Sequence, residues 1–167
     1  MAGDRPILRT ARLVLEPMES LHEAEHAAAS GRAADARRDT RAADAQWQAH
    51  GFGPWAIRDG DDNGFLGGAE LRFAGDGIEG IAPDEIEAGW WVTERRRSEG
   101  IATEAMRAAI DDAWQRTDAP HIAASIGGAN EPSRRVAAKL GFTVRGDGRG
   151  RSGEAMTVYE LRRPFGR

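Results

Sequence analysis

Ile86-Glu87-Ala88-Gly89-Trp90-Trp91-Val92 runs directly into Thr93-Glu94-Arg95-Arg96-Arg97-Ser98-Glu99-Gly100, and then into Ile101-Ala102-Thr103-Glu104-Ala105-Met106. The first piece is short, apolar and aromatic, which predicts a buried strand. The third places Ala102, Met106, Ala109 and Ala113 at three- and four-residue steps as far as Trp114, which predicts a helix. Between them lies a tight turn carrying consecutive arginines and a glycine. A strand feeding a helix through such a turn leaves the first helical N–H groups without intrahelical partners. Those groups and the helix dipole form an anion site, most often one for phosphate. The turn has neither the G-x-x-x-x-G-K-[ST] of a Walker loop nor a G-x-G-x-x-G.

The pattern extends outward on both sides. Leu13-Val14-Leu15 predicts a strand stopped by Pro17. Helices are expected from Ser20 to Ser30, ended by Gly31, and from Arg41 to His50, capped by Thr40. Trp55–Arg58 and Phe65–Phe73 read as strands joined through Asp62-Asn63-Gly64, since Asn-Gly is a strong hairpin signal. A polar loop from Gly75 to Glu85 follows. Beyond the long helix come a strand at His121–Ser125, a short helix with Pro132 in its first turn and Gly141 at its end, and a hairpin of Phe142–Val144 with Met156–Leu161. The result is an α/β protein: a mixed sheet with helices on both faces. The Ile86 and His121 strands are joined by a helical crossover and should be parallel.

With 167 residues the chain has the length of one domain with a proper core, taken as residues 1–167. A net charge of −4 disfavours nonspecific nucleic-acid binding. The absence of cysteine excludes disulfides, thiol nucleophiles and cysteine zinc sites. No apolar run approaches the ~20 residues of a membrane span. The opening Asp4, Arg5 and Pro6 do not form a leader, so a cytoplasmic location without membrane partners is expected.

Several short patterns have two readings. His22-Glu23-Ala24-Glu25-His26 is a literal H-E-x-x-H, which on a helix would set two histidines toward zinc with Glu23 as base. The alternative, favoured here, is a solvated first helix, and no metal is expected. Gly148-Arg149-Gly150-Arg151-Ser152-Gly153 fits G-x-G-x-x-G, but it precedes a strand pattern, so it reads as a hairpin loop. Arg95-Arg96-Arg97 is either a solvated charge run or part of the phosphate turn, and its position favours the turn. Glu87 is a carboxylate inside an apolar strand: a general base acting through water, or half of an ion pair. Glu70 and Glu154 are weaker candidates for that base. Asn130 and Ser133 open the second short helix, where both residue types cap. The five tryptophans are either core or pocket lining, and Trp90 and Trp91 point to opposite sheet faces.

Arg97-x-x-Gly100-x-Ala102 resembles the [QR]-x-x-G-x-[GA] pyrophosphate loop of the GNAT acyltransferases. Glu87-x-Gly89-Trp90-Trp91-Val92 is similar to the E-I-G-Y-W-L strand of the RimJ/RimL branch, which acetylates ribosomal-protein N-termini. Ile101-Ala102-Thr103-Glu104-Ala105 resembles its G-Y-A-T-E-A helix start. Asn130-x-x-Ser133-x-x-Val136-x-x-x-Leu140-Gly141-Phe142 resembles its N-x-x-S-x-x-V-x-x-x-x-G-F segment, and Thr10-x-Arg12-Leu13-x-Leu15 its T-x-R-L-x-L opening.

The resemblance implies a GNAT fold: a mostly antiparallel sheet whose central parallel pair splays to admit pantetheine. It implies acetyl-CoA as cofactor, held by Trp91, Val92, Arg97, Ser98, Glu99, Gly100, Ile101, Ala102, Asn130 and Ser133. Backbone N–H groups near Trp91 or Val92 would polarise the thioester carbonyl. It implies direct acetyl transfer to a primary amine, with Glu87 and Ser133 as catalytic residues. Ser98 stands where that branch has glycine. The tyrosine that many relatives place seven residues after the asparagine is Ala137 here, and the one tyrosine is Tyr159. The acceptor is a protein N-terminus or a small-molecule amine, and the protein a monomer or homodimer. A noncatalytic acyl-CoA-binding module and, more remotely, a zinc hydrolase using His22 and His26 are the competing classes.

Overall fold

The computed structural model describes residues 5–165. Asp4, part of the leader reading, lies outside them. The chain divides into two compact units, Met1–Arg72 with Trp90–Arg116, and Phe73–Gly89 with Thr117–Arg167. Along the chain the strands are β1 (Leu8–Arg9), β2 (Leu13–Pro17), β3 (Trp55–Asp59), β4 (Phe65–Phe73), β5 (Ile86–Val92), β6 (His121–Gly127), β7 (Thr143–Arg149) and β8 (Ala155–Arg162). The helices are α1 (Glu23–Ser30), α2 (Ala33–His50), α3 (Ile101–Arg116) and α4 (Glu131–Leu140). The sheet order is β1-β2-β3-β4-β5-β6-β8-β7. β5 and β6 are parallel, as the helical crossover requires, and their register aligns Ile86 with Ile122 and Glu87 with Ala123. The hairpins around them are antiparallel.

In the first unit, α2 lays Ala36, Thr40, Ala43 and Trp47 in one buried stripe. Trp47 meets Trp55 edge-on at 4.8 Å and donates its indole N–H to the Pro54 carbonyl at 2.7 Å. Thr40 is therefore not a cap. It sits mid-helix, fully buried, and its hydroxyl donates to the Ala36 carbonyl at 2.9 Å. That local bond lets a β-branched polar residue lie inside a helix, so α2 begins at Ala33 rather than Arg41. β2 ends at Pro17, as expected, and Pro17 is its last paired residue, opposite Trp55. At the β3–β4 hairpin Asn63 takes the left-handed conformation that its Asn-Gly signal predicts (φ 63°).

In the second unit, Ala74, Ile78, Ile81, Ala123 and Val158 form a core cluster. The loop after β4 thus contributes core residues despite its polar sequence. The last hairpin is longer than expected, because Gly148 and Arg149 continue β7 opposite Met156 and Ala155. Gly148 is required there: a Cβ would lie 2.2 Å from the Glu79 carbonyl. A glycine-poor reading of strands hides this use of glycine for close backbone approach.

Candidate functional site

β5 ends in a sharp turn within the first unit. Glu94–Arg96 form one 3-10 turn, Arg97 is extended, and α3 starts at Ile101. Ser98 and Gly100 both adopt positive φ, 65° and 78°. The left-handed conformation costs glycine nothing and an ordinary side chain about 1–2 kcal/mol, so Ser98 carries strain that the family's glycine avoids. The turn is exposed from Arg97 to Gly100. α3 starts directly after this exposed turn, and the first N–H groups of a helix lack intrahelical partners, the feature that binds phosphate at helix starts.

The three arginines of the turn do different work. Arg96 is spent on structure, with Asp59 at 2.9 Å and Glu99 at 2.8 Å. The backbone N–H of Asp61 and the Arg96 guanidinium together hold the Asp59 carboxyl below its usual range. Arg97 gives its Nε to the Val92 carbonyl at 3.3 Å and remains exposed, as does Arg95. Two exposed cations thus flank the helix start.

The N-terminal motif buttresses this turn, a connection that reading the motif by itself did not reveal. Thr10 donates its hydroxyl to Glu104 at 2.6 Å, and Arg12 binds the same carboxylate through Nε at 2.7 Å and its own backbone N–H at 3.0 Å. Arg12 also reaches the Glu99 carbonyl at 3.0 Å. Burial works to raise the Glu104 carboxyl, but the bonds from Thr10 and Arg12 outweigh it and hold the group below its usual range. The signal was present as two separate motif fragments, Thr10-x-Arg12 and Thr103-Glu104. Only the fold shows that they meet.

In the second unit Glu87 is 8 % exposed. Its Oε1 accepts from the Ser125 hydroxyl at 3.1 Å, and its Oε2 lies 3.5 Å from Arg151 Nη2. The same Nη2 donates to the Ala74 carbonyl. An arginine ion pair is one of the two readings of Glu87, and the structure supplies it with Arg151; Ser125 carries no local signal of a partner. Asn130 and Ser133 come together at the start of α4, where Asn130 Oδ1 accepts from the Ser133 backbone N–H at 3.2 Å. Asn130 is thus the cap, and Ser133 meets it through its backbone N–H. Glu70 lies 3.7 Å from Arg72, and Glu154 accepts from the Ser152 N–H at 3.0 Å, so both have local partners. Tyr159 sits within β8, between Ala124 and Val144. A cavity of about 470 Å³ opens in this unit against Glu79, Asp147, Arg149 and Met156.

The H-E-x-x-H histidines are buried, not solvated, at 3 % and 5 % exposure. The helix they share is broken: His22 ends a 3-10 turn and His26 lies in α1. His22 Nδ1 lies 3.0 Å from the Glu19 backbone nitrogen and its Nε2 3.2 Å from Glu16, which also binds Arg58 at 2.9 Å. His26 packs edge-on against Trp91 with ring centres 4.8 Å apart. Both rings serve as polar members of an apolar layer. Among the described residues, no group of three histidine or carboxylate side chains is placed to hold a metal ion.

Comparison with known proteins agrees with this geometry. The family described as acetyltransferase (GNAT) domain matches residues 12–143. A solved protein from Bordetella pertussis, described as a GnaT-family acetyltransferase, is 27 % identical with a TM-score of 0.82, covering 93 % of this chain and 99 % of its own. A Salmonella typhimurium acetyltransferase that modifies the N-terminal serine of 50S ribosomal protein L7/L12 shares the fold at 15 % identity and a TM-score of 0.72, over 95 % of this chain and 100 % of its own. Mycobacterium smegmatis RimJ, solved with CoA-disulfide, shares it at 20 % identity and a TM-score of 0.67, over 95 % and 86 %. No curated protein matches the chain.

Proposed function

The chain belongs to the acetyltransferase (GNAT) family, and from that premise we propose that it moves the acetyl group of acetyl-CoA to a primary amine. Acetyl-CoA is the acyl donor of this family. When bound, it supplies an activated thioester carbonyl and a stable thiolate leaving group. The residues present fit its diphosphate: an exposed turn from Arg97 to Gly100 leading into α3, Gly100 at φ 78°, and exposed Arg95 and Arg97 guanidinium groups. In the first unit, Trp91 and Val92 at the end of β5 and Ser98 to Ala102 in the turn are the proposed cofactor-binding residues; in the second, Asn130 and Ser133 at α4 are proposed from the resemblance of their segment.

Glu87 is the proposed base. It takes a proton, directly or through water, from the acceptor ammonium, so that the nitrogen is neutral when it attacks. Its buried carboxylate is fixed in orientation by the Ser125 hydroxyl. Ser133 Oγ is the proposed proton source for the departing sulfur, helped by the dipole of α4. The chain has no cysteine to form an acyl-thioester, which supports direct attack.

A protein N-terminal amine in the cytoplasm is the acceptor favoured by the strand, helix-start and asparagine–serine motifs of the RimJ/RimL type. Small-molecule amines are the second acceptor class, since the cavity near Asp147 is lined by residues of the loop after β4 and of the last hairpin. The observation that carries the proposal is the helix-opening turn at Gly100 in a chain matched to this family over residues 12–143. The test is thiol release from acetyl-CoA against peptides, polyamines and aminoglycosides, with mass spectrometry of the product. Acetylation of an amine is expected. Coenzyme A binding without turnover on any of them would favour a noncatalytic acyl-CoA module.

A further inference from the structure

One nitrogen of Arg151 does what an ammonium group does. Nη2 is shared between two oxygens, the Ala74 carbonyl and Glu87 Oε2, the latter at 3.5 Å. A guanidinium meets a carboxylate best with two parallel N–H groups. Here the fork is not used that way. A single nitrogen bridging a carbonyl and a carboxylate is the geometry that the three donors of a compact –NH3+ satisfy.

The two receiving oxygens are buried, whereas the cation they hold is half-exposed. Ala74 is 3 % exposed, and its N–H is bound to the Glu85 carbonyl at 2.9 Å. Glu87 is 8 % exposed and oriented by Ser125. The Arg151 side chain is 46 % exposed and belongs to the short loop between β7 and β8, which contains Gly150 and Gly153.

We propose that Ala74 O and Glu87 Oε2 form a primary-ammonium site, and that Arg151 occupies it until an ammonium ligand takes its place. The inference rests on the reading of Glu87 as the residue that receives the acceptor. It gives the form in which that acceptor is received, a protonated primary amine. Exchange keeps the buried carboxylate paired throughout, which avoids the cost of a buried, unpaired charge. It also makes Arg151 a specificity-determining residue, because a ligand must compete with it.

Ethylammonium is the smallest probe. The side-chain carboxyl 13C resonance of Glu87, assigned by its loss in Glu87→Gln, reports occupancy. A competitor bound about nine-tenths of the time raises an apparent dissociation constant about tenfold. Arg151→Ala should therefore saturate at about one tenth of the ethylammonium concentration that wild type needs. Arg151→Lys should keep the wild-type response, since its side chain supplies the same group. Tetramethylammonium, which has no N–H, should move neither protein. Identical titrations of wild type and Arg151→Ala overturn the proposal, as does an Arg151→Lys that behaves like the alanine variant, or an equal response to tetramethylammonium. Full turnover in Glu87→Gln would remove the base and leave the ethylammonium result standing, so the two readings fail separately.

Discussion

β5 carries two chemically different regions at its two ends, and they are built by different means. The backbone path of the turn after Val92 is set by residues close in sequence, Arg96 on Glu99, Arg97 on Val92, and Ser98 and Gly100 in the left-handed region, with Arg12 and Asp59 bracing it from farther away. The carboxylate of Glu87, at the strand's beginning, is held by residues far away: Ser125 on β6 and Arg151 beyond β7. Local conformation makes the first region an exposed turn that opens a helix. Long-range placement makes the second a buried, paired carboxylate. The first should therefore fail through backbone changes and the second through loss of a single functional group.

The largest effect is expected at Gly100. Gly100→Glu forces a side chain into φ 78° and adds an anion where phosphate should bind. Calorimetry with coenzyme A should detect no binding. Unchanged affinity would remove the diphosphate site from this turn.

Glu87→Gln keeps shape and removes the base. Turnover should fall about 10³-fold, within the usual range for general acid–base groups, while coenzyme A affinity stays level. Turnover equal to wild type would leave Glu87 with only its structural pairing.

Ser133→Ala tests the acid in place of the missing tyrosine. A serine is a weak acid, so the loss should sit near the low end, about 10²-fold, with acetyl-CoA still bound. Tyr159→Phe should leave turnover nearly unchanged. Full activity in the serine variant reduces Ser133 to a helix-opening residue, and a large loss in the tyrosine variant moves the acid to β8.

Glu104→Gln probes the buttress beneath the turn. Its bonds are partly exposed, so the loss of stability should be about 1 kcal/mol at neutral pH. The sign of its pH dependence is fixed by a folded carboxyl held below the ordinary value of 4.5. That stabilisation is complete above the unfolded value and disappears as pH falls through the folded one. Denaturation curves of wild type and variant should converge on acidification. A gap that persists into strong acid would mean the carboxylate charge is not what stabilises the turn.

The smallest effect is a gain. Ser98→Gly relieves a positive-φ side chain at 65° and should keep coenzyme A affinity. Any stabilisation should be below about 1 kcal/mol, because glycine also raises the entropy of the unfolded chain. A loss of binding would show that the serine side chain itself belongs to the site.

The comparison also separates what was legible from what was not. The β5–turn–α3 unit was readable because each of its parts has a local cause: an apolar run, a glycine at positive φ, small residues at helical spacing. The same holds for the Asn63 hairpin, the ends of α1 and α4, and the cap formed by Asn130. The errors have local causes too. Thr40 looked like a cap because threonine often is one, but burial and the Ala36 carbonyl offered it another bond. His22 and His26 looked solvated among alanines and charges, yet Trp91, Glu16 and Glu19 form their surroundings.

By itself, then, the sequence determined the order of elements, the parallel pair and the helix-opening turn, since these follow from periodicity, turn residues and chain connectivity. Tertiary structure alone decided that Thr10 and Arg12 close on Glu104, that Arg96 braces the turn rather than facing solvent, and that Arg151 lies on Glu87. Those are pairings between residues dozens of positions apart. No local propensity encodes them: a charged side chain takes its partner from whatever the packed backbone brings within reach, and a buried carboxylate must take one.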